Sequence, residues 1–193
     1  MTGVYQVAIV GSGPAGLSAA ARAAARGMSH VLLEKTDHLS DTIYKYQKGK
    51  HVMATPASLV LRSDIHFEAG KRETILGTWD DQIAGAKVNV KLNAEVVKVE
   101  GAKGAFRIAL RSGEVVEAAH IILAIGTQGN PNRLRCPGAD SPLIQYQLDD
   151  PGEYFDEHIT VIGSGDAGIE NALGLAADPA QRNVVTILNR SAD

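Results

Sequence analysis

The chain has 193 residues, of which 45% are hydrophobic and 21% charged, and its formal net charge is −3. That balance excludes a disordered chain, and the slight negative charge gives no electrostatic footprint for nucleic acid. No apolar run approaches the roughly 18 residues of a membrane helix, so a cytoplasmic protein without a leader peptide is expected. The single cysteine, Cys136, excludes an internal disulfide framework.

In chain order, residues 4–10 read as a buried parallel strand carrying Val7, Ile9 and Val10. The strand runs into Gly11-Ser12-Gly13-Pro14-Ala15-Gly16, a G-x-G-x-x-G turn. The first glycine permits the tight turn and the second lets the backbone approach a pyrophosphate. The third lets helix and strand pack closely, while the helix N-terminus offers unpaired N–H groups to the anion. Pro14 suits the first helical position, where its missing N–H is least missed. The helix runs through Leu17 and the alanines to Gly27, which sits at the C-terminal glycine position. Residues 30–34 form the second strand. Its last residue, Glu34, lies at the distance from the first glycine where an acid reaches ribose hydroxyls.

Residues 35–56 form a long polar stretch, and loops of that length are usually functional or mobile. Residues 71–84 are predicted helical, with Ile75, Trp79 and Ile83 on one apolar face. Residues 88–90 are expected as a third parallel strand. Between 95 and 119 the pattern alternates, with turns at Gly101–Gly104 and Ser112-Gly113, which predicts an antiparallel meander inserted in the parallel domain. The apolar run 120–124 is expected as a separate, central parallel strand closed by Gly126-Thr127. Residues 129–142, rich in proline and glycine, read as a linker.

A second apolar run, Ile159-Thr160-Val161-Ile162, then leads into Gly163-Ser164-Gly165-Asp166-Ala167-Gly168, and an alanine-containing helix follows. Two such turns in register, separated by material that is not a repeat, point to a protein that binds two nucleotides. The strand after the second helix, residues 184–188, ends in Asn189-Arg190, where the first unit has Glu34-Lys35.

The order of first glycine turn, meander, Leu123-Ala124-Ile125-Gly126-Thr127, Pro137-Gly138 and second glycine turn resembles the two-dinucleotide-binding flavoproteins. Among these it is similar to the thioredoxin-reductase branch of the FAD- and NAD(P)H-dependent pyridine nucleotide oxidoreductases. Ala124–Thr127 matches the A-T-G-type motif of that family, with Ile125 where threonine is usual. The segment from Tyr46 to Met53 and that from Ile75 to Trp79 are similar to a subgroup in which such a flavoprotein is fused to regulatory or iron–sulfur domains. The implied fold is a doubly wound α/β FAD-binding Rossmann-like sheet with an inserted meander, followed by the start of a second Rossmann unit for NAD(P). Residues 1–130 would form the FAD domain, 131–155 a linker, and 156–193 the beginning of the NAD(P)H domain.

The resemblance implies that Gly11, Ser12, Gly13, Ala15 and Gly16 hold the FAD pyrophosphate and Glu34 the adenosine ribose. Val97 would lie by the adenine and Gly126 would approach the FAD, with Pro14, Lys35, Ala124 and Thr127 completing that set. The nicotinamide cofactor would meet Gly163, Ser164, Gly165, Asp166, Ala167, Asn189 and Arg190. An acid at position 189 would repel a 2′-phosphate; Asn189 does not, and Arg190 adds a planar fork suited to phosphate, so NADPH is expected over NADH. A surface arginine following a strand is the plainer alternative.

Both places where relatives carry a redox cysteine pair, after the first acidic residue and before the second glycine turn, hold no cysteine. A dithiol relay needs two sulfurs in reach of the flavin, so this chain alone is no disulfide reductase. Cys136 is either an incidental loop thiol or a pair for another subunit. The expectation is a flavoprotein passing hydride from NADPH to FAD and on to an unidentified acceptor. A non-catalytic nucleotide-sensing module is the alternative, and a flavin monooxygenase the minor one. No acid or base is assigned; of the six histidines only His51, in the long polar stretch, stands out. After Arg190 three residues remain, so the second unit has one strand–helix–strand element. A two-stranded sheet is rarely stable unaided, which leads to the expectation of a fragment of a longer protein or a truncated homologue completed by a partner, with a homodimer as one way to cover the edge.

Overall fold

The computed structural model describes residues 3–53, 63–127 and 132–190. Residues 54–56 of the polar stretch, 129–131 of the expected linker and 191–193 lie outside the described residues. The chain divides into two compact units, Met1–Tyr44 with His51–Pro131, and Lys45–Lys50 with Asn132–Asp193.

The first unit is built on strand β1 (Tyr5–Val10), helix α1 (Pro14–Ala25) and strand β2 (His30–Leu33). A short helix α2 (Asp41–Tyr44) and the two-residue strands β3 (His51–Val52) and β4 (Gly70–Lys71) precede helix α3 (Arg72–Gly85). Strands β5 (Val90–Lys91), β6 (Val96–Ala102), β7 (Ala105–Leu110) and β8 (Val115–Leu123) complete it. The sheet order is β5-β2-β1-β8-β7-β6. The four strands β5, β2, β1 and β8 run parallel, and β7 and β6 continue antiparallel.

Side chains alternate across β1, so its two faces bury different partners. Ala8 and Val10 join Val31, Leu33, Ala94, Ile108, Leu110, Val116 and Ala118 in one buried cluster, which seats the meander against that face of the parallel strands. Val7 and Ile9 point to the opposite face, and α1 packs on β1 and β2. The buried side of α1 is Gly16, Leu17, Ala20, Ala21 and Ala23, small residues that let helix and sheet approach closely. In α3 the predicted face of Ile75, Trp79 and Ile83 is buried, and Trp79 Nε1 donates to the His66 carbonyl at 3.2 Å.

The structure corrects the sequence reading in three places. Residues 115–117 and 120–124 are not two strands: β8 is one continuous strand, with Ala118 paired to Phe106 of β7 on one side and to Tyr5 of β1 on the other. Nothing between Glu117 and His120 breaks a strand, since Ala118 and Ala119 are small and extended. Gly101 lies inside β6 rather than in the turn, at φ +100°, because a side chain there would run into the Ala105 carbonyl. The third parallel strand is Val90–Lys91 rather than 88–90. Asn89 acts just before it as a tie, donating from Nδ2 to the His30 carbonyl at 2.9 Å.

The second unit contains strand β9 (His158–Ile162), helix α4 (Asp166–Ala176) and strand β10 (Val184–Leu188), with β9 and β10 parallel. Buried Gln181 donates from Nε2 to the carbonyls of Pro151 and Tyr154, each at 2.9 Å, so residues 151–154 are folded onto this unit. Residues 132–155 thus belong to the second unit. So does Lys45–Lys50, from within the long polar stretch. The Lys48 amide donates to the Asp149 carbonyl at 2.8 Å, Lys48 Nζ meets Asp150 at 2.9 Å, and Lys50 Nζ meets Glu170 of α4 at 2.6 Å.

The Lys48 ammonium, with the Gly152 N–H, holds the Asp150 carboxyl below the usual carboxylate range. Because the folded value is the lower one, this stabilisation is present above the unfolded value near 4 and is lost as pH falls through the folded value. Asp150→Asn should therefore lower the urea midpoint slightly at neutral pH, with the difference from the wild-type protein closing as pH drops below about 4. A difference that stays constant between neutral and acidic pH would show that the Asp150 charge plays no part in seating Lys45–Lys50.

Candidate functional site: two glycine turns at strand ends

The first turn sits at the carboxyl ends of β1 and β8. These neighbours are joined through a long excursion in sequence, and β2 and β5 lie on the other side of β1. In an open parallel sheet that reversal of strand order opens the crevice where ligands bind. Gly11 takes φ +96°, and its N–H donates to the Leu33 carbonyl at 2.8 Å. A Cβ on Gly11 would lie 2.5 Å from the Ala124 carbonyl oxygen. Ala124 is itself pinned by donating to the Val10 carbonyl at 2.8 Å. A Cβ on Gly16 would run into the Gly11 carbonyl and approach Ala124 Cβ to 3.4 Å. Both glycines are therefore required by close approach, and Ala124 must stay small.

Gly13 is the extended N-cap of α1, with φ −67° and ψ 179°, and no side chain caps the helix. The first helical bond runs from Leu17 N–H to the Gly13 carbonyl at 2.9 Å. Pro14 and Ala15 are exposed, so the first-turn backbone of α1 is open to an anion. Gly126, at φ +66°, and Thr127 follow Ala124 at the same end of β8.

The second unit repeats this backbone. Gly163 takes φ +108° and donates to the Leu188 carbonyl at 2.8 Å. Gly165 is the extended N-cap of α4, with φ −72° and ψ 173° and no side-chain cap. A Cβ on Gly168 would run into the Gly163 carbonyl, the same collision as in the first turn, so alanine is unsuited to this position. Ser164, Asp166 and Ala167 complete the turn. The exposed carboxylate of Asp166 stands in the first turn of α4 where α1 has Pro14. It favours the helix dipole but opposes a phosphate.

The two turns differ in the residue at the end of the second strand. Glu34 is 4% exposed and Ser12 1% exposed. Glu34 Oε2 accepts from the Ser12 N–H at 2.9 Å and from the Ser12 hydroxyl at 2.5 Å. Oε1 accepts from the Thr36 N–H at 3.1 Å. Lys35 reaches outward to Asp41 at 3.9 Å. In the second unit Asn189 is exposed and its Oδ1 accepts from the Arg190 N–H at 2.9 Å. The Arg190 side chain faces solvent.

Val97 does not lie on the strands that carry the turn. It sits on the outer strand β6, as the extra residue of a bulge between the Val96–Leu110 and Lys98–Ala109 pairs, a position that leaves its backbone outside the regular ladder. The segment leading into β6 does reach the acid: Ala94 donates to the Glu34 carbonyl at 2.7 Å and Asn93 to that of Thr36 at 2.9 Å. The sequence misses Thr36 and Ser40. No spacing rule marks either, and Ser40 becomes visible only through its contacts with Ser12. His51 is exposed in β3, while His30 is a structural residue that accepts the Asn89 N–H at Nε2, 3.1 Å away. Cys136 is exposed and free, and among the described residues no cluster of side chains could hold a metal ion and no helix is long and apolar enough to cross a membrane.

Residues 8–193 match the family model of the pyridine nucleotide-disulphide oxidoreductases. A ferredoxin–NADP reductase of Ignicoccus hospitalis is 30% identical over 182 residues, covering 94% of this chain and 55% of the relative. A thioredoxin reductase of Peptoclostridium litorale is 29% identical over 201 residues, covering all of this chain and 56% of the relative. The chain spans about half the length of these relatives. Among solved structures, the bacillithiol disulfide reductase Bdr of Staphylococcus aureus superposes with a TM-score of 0.83 at 28% identity, over all of this chain and 59% of that one. With the family model matched over nearly its whole length and both glycine turns built alike, the chain belongs to the pyridine nucleotide-disulphide oxidoreductase family.

Proposed function

We propose that the first unit binds FAD, that the second binds NADPH, and that the protein belongs to an NADPH-dependent flavoprotein oxidoreductase that hands electrons to a separate acceptor. The observation that carries this reading is the duplicated turn with opposite chemistry beside it. A buried acid, Glu34, stands beside the first turn, and the uncharged Asn189 with exposed Arg190 stands beside the second. A carboxylate suits unphosphorylated ribose hydroxyls, whereas a guanidinium beside an uncharged asparagine suits a 2′-phosphate. The ferredoxin–NADP reductase of Ignicoccus hospitalis carries NADP in its name, which supports NADPH as the nicotinamide cofactor.

The fit to FAD rests on the shape of the first turn. Gly11 and Gly16 leave no room for a Cβ, and the α1 terminus has no side-chain cap, so backbone amides of Gly13, Ala15 and Gly16 are the donors for a pyrophosphate. The bulged backbone of Val97 is the candidate adenine contact, and Gly126 and Thr127 are the candidates for the flavin side. Bound flavin would supply the hydride chemistry; the chain's own groups bind, orient and exclude water. With Cys136 as its one cysteine, these 193 residues hold no dithiol pair to relay electrons, and we place the hand-over to the acceptor at the flavin. Two chemical classes of acceptor, a small redox protein and a low-molecular-weight disulfide, are separated by assay of each with the reduced flavoprotein.

The turns can be tested one at a time. Gly16→Ala should abolish FAD binding and spare NADP binding, and Gly168→Ala should do the reverse, both followed by titration with the two nucleotides. Loss of both ligands in either variant, with the fold intact by circular dichroism, would overturn the assignment of one nucleotide to each unit. Arg190→Ala should raise the dissociation constant for NADP roughly tenfold, the loss of one charge-assisted hydrogen bond of about 1.5 kcal/mol, and leave NAD within twofold. Equal losses for both would remove the 2′-phosphate role. Tight binding of both nucleotides without flavin reduction by NADPH in the presence of all bound cofactors would make the protein a nucleotide sensor instead.

A further inference from the structure

Ser40 lies outside the glycine fingerprint, yet it is only 1% exposed and holds the left-handed conformation, φ +57°. A serine in that region is uncommon and is kept there by its surroundings. Its N–H donates to the Ser12 hydroxyl oxygen at 3.0 Å, and its own hydroxyl donates to the Ser12 carbonyl at 3.1 Å. The Ser12 hydroxyl in turn gives its single proton to Glu34 Oε2 at 2.5 Å. Ser12, the second residue of the turn, therefore points its side chain inward to the acid, and Ser40 grips it at both ends.

Counting lone pairs shows what this chain of bonds leaves over. Each carboxylate oxygen accepts about two hydrogen bonds. Oε2 has two donors, the N–H and the hydroxyl of Ser12, and is full. Oε1 has the Thr36 N–H at 3.1 Å. The Thr36 hydroxyl, also 3.1 Å away, has one proton, and the His38 carbonyl lies nearer to it at 2.8 Å. One accepting site on Oε1 thus remains for a ligand hydroxyl.

We infer that Ser40 is a positioning residue for the adenosine ribose of FAD: through Ser12 it fixes the glycine turn and saturates Glu34 Oε2, so that Oε1 is the oxygen that meets the ribose. The inference rests on the FAD reading of the first unit. It divides Glu34 into one oxygen that holds the turn and one that holds the ligand.

Fluorescence titration of the 193-residue protein with FAD tests it, with NADP titration as the control for the second turn. Ser40→Gly keeps the backbone N–H and suits the left-handed conformation, so it folds and removes only the hydroxyl bond to Ser12. It should weaken FAD binding roughly twofold to tenfold, the effect of one net hydrogen bond, with NADP affinity unchanged. Ser40→Asn, which tolerates the same conformation and carries a donor, should recover most of the loss. In a Glu34→Gln background, Ser40→Gly should cost less than twofold, because the two residues act through one network. Equal FAD affinity for Ser40→Gly and the wild-type protein, or equal cost in both backgrounds, would overturn the inference while leaving FAD binding itself in place. A wild-type chain that takes up no FAD would overturn the FAD reading and this inference with it.

Discussion

The close approach of the third glycine to the first glycine's carbonyl governs both nucleotide turns. At Gly16 and again at Gly168 a single Cβ would collide with the backbone of the residue five positions earlier. That contact brings the start of each helix against the end of its strand, and so aims the uncapped first turn of the helix at the crevice. Nothing polar is needed to create the anion site. It is a consequence of removing one methyl group at a place where helix dipole and strand end converge.

The two turns share this frame and diverge in what stabilises it. In the first unit the frame is clamped by a buried carboxylate with no cationic partner among the described residues, its oxygens met by backbone and hydroxyl donors of Ser12 and Thr36. A buried charge tolerates that only when its lone pairs are satisfied, which makes Glu34, Ser12 and Ser40 one cooperative unit rather than three independent contacts. In the second unit Asn189 turns back on the Arg190 N–H, and the strand end stays exposed. One turn is preorganised through a buried network, and the other is left open at its rim.

The second unit also shows how a small α/β element gains support. Two parallel strands and one helix bury few side chains fully, Ala172 and Leu175 of α4 among them. Additional anchoring comes from Gln181, which ties residues 151–154 down, and from Lys45–Lys50, which bonds to Asp149, Asp150 and Glu170. Gly174 on α4 accommodates this segment, since a Cβ there would sit 3.3 Å from Pro151 and 3.4 Å from the Gln47 amide. The Glu170 and Asp150 carboxylates meet two lysines across a short, partly exposed seam, an arrangement sensitive to salt and pH.

Most of the frame was legible in the sequence because it depends on local rules. Strand, glycine turn, proline at the helix start and closing Gly27 follow from steric limits on a few neighbouring residues, and the apolar face of α3 follows from period alone. The duplication of the turn, and the change from Glu34 to Asn189-Arg190, are likewise written in residue type and spacing. Tertiary structure decided what depends on contacts between distant segments. It joined Val115–Leu123 into a single strand that pairs antiparallel on one side and parallel on the other, assigned Lys45–Lys50 to the second unit, and brought Ser40 under Ser12 and Glu34. No local preference marks those outcomes, because each satisfies a hydrogen-bonding or packing need of a segment far away in the chain, and that need exists only once the sheet has formed.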